Sequence, residues 1–446
     1  MVSQALQHHQ AGLLAEAGQM YRQVLAIDPH HADALHLLGM AGYQSGQHDE
    51  AVDLIRKAIA IHPAAVSYHS NLGNVLQAQD KLGEASESYR RALALNPDLA
   101  EVYVNLGNVL QAQGDVERSL ACYRRALSLN PGLAEASVAE SMALLLQGNL
   151  AAGWRNFEKR WRTADYETPM RSYPLPLWKG ERLPSGRLLL WGEQGIGDEI
   201  MFAGLVPDVV RTGNHIVLDC DPRLKPLFAR SFPEVKVISG YDPVTDTDLD
   251  IAAHLPSGSL PGILRTTHSA FAATKSPYLV ADPAERQRFH TSYADGRPLV
   301  GLAWHTRNKQ TGQKRSIGLS SLAPLLELPD LRWISLQYGD HDSLEQQAAG
   351  APLHIDRTVD QLADMDFFAA QVAAMDLVIT IDNSTAHLAA ALGVPTWLLL
   401  PFAPDWRWQL QCSDSPWYPT VRIFRQPQRN DWSFVIQQVG VELTLL

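Results

Sequence analysis

Three stretches of this chain gather residue types that can move a proton or hold an anion. In Glu193-Gln-Gly-Ile-Gly-Asp198, Gly195 and Gly197 permit a tight turn into a helix and close approach of a ligand. Asp198 falls in the first turn of that helix, where its carboxylate can cap the helix, accept a proton from a substrate, or do both. In Trp304-His-Thr-Arg-Asn-Lys-Gln-Thr-Gly-Gln-Lys-Arg-Ser316, the cations Arg307, Lys309, Lys314 and Arg315 are concentrated in one loop of an otherwise acidic chain, as anion binding requires. A solvated loop has the same composition. His305 and Ser316 flank this cluster, and His305 joins Gly195 and Gly197 on the loop side of the expected cleft. In Asp382-Asn-Ser-Thr-Ala-His387, a strand end at Asp382 leads through Ser384, read as the N-cap, into a small-residue helix stopped by Gly393. The hydroxyls and amides of Ser384, Thr385 and Ala386 at the positive helix end form a site for a diphosphate. His387, one turn on, lies on the same face, either as a ligand-binding group or as a core histidine.

Two weaker features belong with these. Gln337 and Tyr338 end an apolar run and can read a nucleotide base or satisfy nearby backbone. Asp246-Thr-Asp-Leu-Asp250 is an Asp-x-Asp that could hold a diphosphate-bridging metal, but it lies far in sequence from the anion-binding stretches and reads as a turn or strand edge.

The elements that must position these groups show in the rhythm of the chain. Apolar runs at Arg187 to Gly192, His215 to Cys220, Val235 to Ser239 and Leu249 to His254 alternate with helical stretches. After Gly296-Arg-Pro298 a second series begins: Leu299 to Trp304, Trp333 to Gln337, Leu377 to Ile381 and Thr396 to Leu400. Two such series predict two parallel-sheet domains, 187–296 and 297–446. Ligands of such sheets bind beyond the carboxyl ends of the strands, where each chemical stretch begins.

Before residue 187 the pattern is different. Tyr21 to Pro29, Ile55 to Pro63, Tyr89 to Pro97 and Tyr123 to Pro131 are near copies, their prolines 34 residues apart, which is the tetratricopeptide period. Asn71-Leu-Gly-Asn-Val-Leu-Gln-Ala-Gln79 recurs as Asn105 to Gln113, so each unit is a helical hairpin that buries its apolar stripe against its neighbours. Residues 1–161 are expected to form this solenoid, with Trp154, Phe157 and Trp161 in a degenerate unit that either caps the array or docks, and the proline-bearing 162–186 a linker. Asn71 and Asn105 resemble the asparagines that line the concave face of the repeats in O-linked N-acetylglucosamine transferases and hold peptide backbone. A primary amide can donate and accept at once. The positions one repeat away are Leu37 and Ala139, and repeat consensus alone also accounts for the pair.

Bulk properties exclude several classes. With 48 acidic and 37 basic residues the net charge is −11, which repels phosphate backbones and anionic lipid and makes nucleic acid a poor partner. Three widely spaced cysteines, Cys122, Cys220 and Cys412, with no Cys-x-x-Cys pair, encode neither a disulfide framework nor a zinc site and fit a reducing cytoplasm. No secretory leader or membrane-spanning run is expected.

The segment from Trp178-Lys-Gly-Glu through Gly195-Ile-Gly-Asp-Glu, the helix from Asp382 to Pro395, Pro404-Asp-Trp-Arg-Trp408 and Asp414-Ser-Pro-Trp-Tyr-Pro419 resemble bacterial tetratricopeptide proteins that carry a heptosyltransferase-like glycosyltransferase domain. The similarity covers the chain from Gly153 onward. It implies a GT-B fold of two Rossmann-like domains, the second holding a nucleotide-sugar donor, with the last helix packing back on the first. It also implies inverting transfer without a metal or other cofactor. Asp198 matches that family's candidate general base and Lys314 falls near its phosphate-binding lysine. Asn383-Ser384 stands where heptosyltransferases carry Thr-Gly, so donor identity does not transfer. A protein partner or acceptor on the repeats is implied, while a catalytically silent scaffold and a nucleotide-sugar epimerase are the competing readings.

Overall fold

The computed structural model describes every residue except Asp165, Glu167, Thr274, Lys275, Lys309, Gln310, Gln411 and Leu446. By packing, the chain divides into two units, Met1–Leu144 and Leu145–Leu446.

The first unit is a solenoid of antiparallel helix pairs: α1 (Val2–Gln10), α2 (Leu14–Ile27), α3 (Ala32–Gln44), α4 (His48–Ile61), α5 (Val66–Ala78), α6 (Leu82–Leu95), α7 (Ala100–Ala112) and α8 (Val116–Leu129), followed by α9 (Ala134–Leu146), which crosses the division. The repeat signature has a packing reason. Tyr89 on α6 lies against Gly73 of α5, and Tyr123 on α8 lies against Gly107 of α7, so closely that a β-carbon at either glycine would collide with the ring. Each tyrosine hydroxyl then donates to an asparagine of the preceding helix, Tyr89 to Asn74 at 2.7 Å and Tyr123 to Asn108 at 2.9 Å. Leu72, Val75, Leu76, Ala92 and Leu106 form one buried seam through successive repeats, as nearest-neighbour stacking requires.

The second unit begins with α10 (Leu150–Phe157) and a 3₁₀ turn, Glu158–Arg162. The sequence pattern puts α10 at the end of the repeat array, but its packing puts it here: Trp154 and Phe157 are buried in an aromatic cluster with Trp406 and Trp417. Two parallel sheets follow. The first contains β1 (Arg187–Trp191), β2 (His215–Asp219), β3 (Lys236–Ile238) and β4 (Ile251–Pro256) in the order β3-β2-β1-β4. The second contains β5 (Leu299–Ala303), β6 (Arg332–Ser335), β7 (Leu353–His354), β8 (Leu377–Ile381), β9 (Thr396–Leu400) and β10 (Val421–Arg425) in the order β10-β9-β8-β5-β6-β7. All pairings between these strands are parallel. The central strands are almost wholly buried and near-continuously apolar, as in parallel sheets covered on both faces. The strand order reverses between β1 and β4 and again between β5 and β8, and these switch points open a crevice at the carboxyl ends.

The expected linker is partly built into the first sheet. Trp178 is buried, its N–H donates to His254 O at 2.9 Å, and His254 N–H donates to Pro176 O at 3.0 Å, which covers the free edge of β4. The last helix, Trp432–Leu443, does not return to the first sheet. Its buried face of Val435, Ile436, Val439 and Leu443 joins the core of the second sheet beside Leu325. No described helix is long and apolar enough to cross a membrane.

Candidate functional site

The two switch points face each other through a pair of helices. The Ile196–Ala203 helix follows β1 and the Ser384–Ala391 helix follows β8. Their first turns touch: a β-carbon at Gly197 would stand 3.1 Å from the His387 ring and 3.5 Å from Ser384 Cα, so any larger residue would have to press the buried imidazole back by a few tenths of an ångström. Gly195, in contrast, is in extended backbone with open space beside it, and the left-handed residue of the loop is Gln194, at φ 65°. Tyr278 holds the two helices in register, its hydroxyl donating to Ile200 O at 2.8 Å and its N–H to Ala391 O at 3.1 Å.

Asp198 lies in this contact and does not cap its helix, whose N-cap is Gly195. Its carboxylate is paired with Arg407 of the Pro404–Trp408 segment. From there charges alternate. Arg407 Nη1 donates to Asp405 Oδ1 at 2.7 Å, Arg315 Nη2 to Asp405 Oδ2 at 3.3 Å, and Arg315 Nη1 lies 2.8 Å from Asp382 Oδ2. The result is a line of Asp198, Arg407, Asp405, Arg315 and Asp382 through the cleft. Burial raises the Asp382 carboxyl above its usual range, and Arg315 counters this only in part. Burial works the same way on Asp405, but Arg407 and Arg315 outweigh it and hold that carboxyl low. Burial alone would lower the Arg407 guanidinium, yet Asp198 and Asp405 more than compensate, so it remains charged.

At the second helix the N-cap is Asn383, not Ser384: its Oδ1 accepts from Ala386 N–H at 3.2 Å. This removes Ala386 from the expected set of ligand amides and leaves those of Ser384 and Thr385 pointing out of the helix end. Asn383 Nδ2 and Thr385 Oγ1 are buried and have no hydrogen-bond partner among the described residues. His387 is buried, stacked on Trp408 at a ring separation of 5.2 Å, with Nδ1 2.9 Å from the Tyr418 hydroxyl. Burial, reinforced by Arg407, pushes its imidazolium down to about 4, so at neutral pH it is an uncharged polar group beside Asp198.

The other sequence-selected residues fall in three places. Lys314 and Arg315 sit on a four-residue helix, Gly312–Arg315, with Lys314 exposed, and Ser316 Oγ accepts from Thr306 N–H at 3.1 Å. Lys309 lies outside the described residues. Gln337 is buried, and its amide is fully used: Oε1 accepts from Trp304 N–H and His305 N–H at 2.9 and 2.8 Å, while Nε2 donates to His305 O and Tyr338 O at 3.0 Å each. Nothing remains for a nucleotide base, so Gln337 clamps the loop after β5. His305 itself is exposed beside this clamp. In the first unit, Asn71 Nδ2 lies 2.8 Å from His36 Nε2 and Asn105 Nδ2 donates to Asn74 Oδ1 at 3.2 Å. Both amides therefore spend a donor on the neighbouring repeat, which narrows their use for peptide. Asp246 Oδ2 accepts from Asp242 N–H at 2.9 Å and Asp250 adopts φ 48°, as in a turn. No group of three or more His, Cys, Asp or Glu side chains placed to hold a metal ion occurs among the described residues.

Sequence reasoning missed Asp405 and Arg407 as site residues. Their signal was an Asp-x-Arg enclosed by Trp406 and Trp408, a charged pair carried into the interior by aromatic neighbours. It also missed Arg160, which bonds Glu193 through two 2.9 Å contacts and Ser259 at 2.9 Å. Glu193 accepts in addition from Gly258 N–H at 2.7 Å and from Tyr166 OH. This buried knot anchors the loop that delivers Asp198.

Comparison with known proteins supports the repeats most directly. Tetratricopeptide repeat family models match residues 8–72, 78–114 and 100–133, so the chain carries tetratricopeptide repeats followed by an α/β region of parallel sheets. Protein FlbA of Caulobacter vibrioides is 32% identical over 327 residues, 67% of this chain and 53% of that protein. The chain thus spans about half the length of that relative. Among solved structures, MamA is 24% identical over 35% of this chain and 91% of its own, with a TM-score of 0.33. PilF of Pseudomonas aeruginosa is 23% identical over 35% and 73%, TM-score 0.34, and YrrB, a repeat protein with an unusual peptide-binding site, is 22% identical over 35% and 81%, TM-score 0.32.

Proposed function

We propose that the α/β region is a GT-B glycosyltransferase that moves a sugar from a nucleotide-diphosphate donor to a hydroxyl on a protein or glycan acceptor. The observation that carries this reading is the meeting of two helix N-termini at the switch points of two parallel sheets. One presents a carboxylate, Asp198, and the other is lined by Arg315, Arg407 and the amides of Ser384 and Thr385. Such a cleft suits a reaction in which a proton leaves on one side while negative charge develops on the other. The acceptor oxygen attacks the anomeric carbon and its proton passes to Asp198. The bond from that carbon to the phosphate oxygen breaks, and the electron pair leaves with the diphosphate. In-line attack inverts the anomeric centre. Guanidinium groups, with Lys314 at the rim, and helix amides meet the leaving charge, a role a divalent cation fills in other transferases. The repeats belong to a class of protein-interaction modules, and we assign them recruitment of a protein acceptor or partner.

The test is incubation of the full chain with labelled nucleotide sugars, with and without EDTA. Acceptor-bound sugar or slow donor hydrolysis that survives chelation is expected. An isomerised nucleotide sugar would mean an epimerase, and no turnover of any donor would leave a scaffold.

A further inference from the structure

We propose that Arg407 exchanges partners during turnover, pairing with Asp198 as seen here and moving to the donor diphosphate when it binds, so that Asp198 becomes a free base only after the donor has arrived. This rests on the reading of the cleft as a diphosphate site. The Asp198 oxygen that accepts from Arg407 is closed to an acceptor hydroxyl while that charge-assisted hydrogen bond stands. One oxygen of the base proposed above is thus occupied by a residue of the turn after β9, 209 positions away in the chain.

Four observations favour exchange over a fixed structural pair. First, Arg407 is forked. Nη1 is held by Asp405 while Nη2 takes Asp198, so one arm can serve as a pivot while the other changes partner. Second, the guanidinium lies over the Trp406 ring at 4.4 Å, a flat support on which it can turn without losing its cation–π contact. Third, the line of charges has three carboxylates and two guanidiniums. An arriving diphosphate adds negative charge to a cluster already in deficit of cations, and of the two guanidiniums Arg407 is the one whose recruitment would release Asp198. The Asp198 left behind then takes the acceptor's proton and is neutralised by the reaction itself. Fourth, Asn383 Nδ2 and Thr385 Oγ1 are buried polar groups without partners among the described residues. They stand at the end of the helix whose first turn touches Gly197, and phosphate oxygens would satisfy both.

The experiment uses inorganic pyrophosphate and calorimetry on the full chain, which removes any dependence on sugar or acceptor. Wild type is expected to bind. Asp198→Asn, which preserves shape and releases Arg407 from its competing partner, is expected to bind about 10-fold tighter, and Arg407→Gln about 10-fold weaker or worse, as loss of a charge-assisted hydrogen bond implies. If Arg407→Gln does not fold, the Asp198→Asn result decides alone. Wild-type binding with unchanged or weaker binding by Asp198→Asn overturns the exchange and leaves the anion site standing. Absence of binding to wild type overturns both.

Discussion

His387 and Arg407 both border Asp198, and at neutral pH only Arg407 is charged, because burial keeps the imidazole neutral down to about pH 4. On the proposed reading the cleft works through a carboxylate and a guanidinium, and Asp198→Asn separates their roles. Transfer should fall by roughly 10²- to 10⁴-fold, the usual contribution of a positioned base, while the variant remains folded. Turnover and melting temperature on one preparation check this, and wild-type turnover would remove Asp198 from the mechanism. The neighbouring Glu199 gives a pH signature of its own. Burial lifts its carboxyl to about 7 from 4.5, against a hydrogen bond from Asp221 N–H that pulls it down. The folded protein therefore holds a proton that the unfolded chain releases between those values. Its contribution to stability is full below pH 4.5 and is lost as pH rises toward 7, on the order of 3 kcal/mol. Denaturant midpoints from pH 4.5 to 7.5 should accordingly fall less for Glu199→Gln than for wild type, and parallel curves would refute the assignment. Asp198, Arg315, Asp382 and Ser384 were legible because each sits just beyond a strand or in a cation-rich loop. Arg407 was not: its importance comes from a tertiary approach across the cleft, which local spacing does not encode.

At the scale of elements, the loop that carries Asp198 depends on a buried ion pair. Arg160 and Glu193 have side-chain exposures of 1% and 0%, so removing either leaves an uncompensated buried charge. Arg160→Met should cost about 3–5 kcal/mol, whereas Arg160→Met combined with Glu193→Gln should recover most of the loss. Chemical denaturation of both variants checks this, and equal losses in the two would place the cost in packing instead of charge. The strands show why some elements can be read from a sequence and others cannot. β1, β5, β8 and β9 are near-continuous apolar runs, the pattern of strands covered on both faces. β10 is an edge strand whose Arg422 points outward to bond Glu442 at 2.6 and 2.8 Å. Its two arginines leave no continuous apolar run, and it follows a proline-bearing stretch that reads as loop. β7, of two residues, is too short to leave a pattern. The reading of Ser384 as N-cap missed by one position because Asn383 and Ser384 are both good caps, and only backbone geometry chooses between them.

For the molecule as a whole, the question is where the repeats end. Sequence periodicity carries helical hairpins through residue 161, and a repeat array needs a terminal unit that shields its last apolar face. α10 occupies the position of such a cap in the chain, yet its large side chains serve the α/β unit: Trp154 Nε1 donates to Arg265 O at 3.1 Å, and its ring packs edge-on against Trp406 at 5.3 Å and Trp417 at 6.3 Å. A fragment ending at Leu146, the last residue of α9, should therefore be helical and unfold cooperatively, because stacked hairpins draw their stability from nearest neighbours. Extending it to Trp161 should add no stability and should lower solubility, since Trp154 and Phe157 would be exposed as an apolar patch. Thermal unfolding followed by circular dichroism, with light scattering on the same samples, compares the two. A higher melting temperature for the longer fragment would return α10 to the array as its cap. An unfolded shorter fragment would mean that the array cannot stand on its own interfaces.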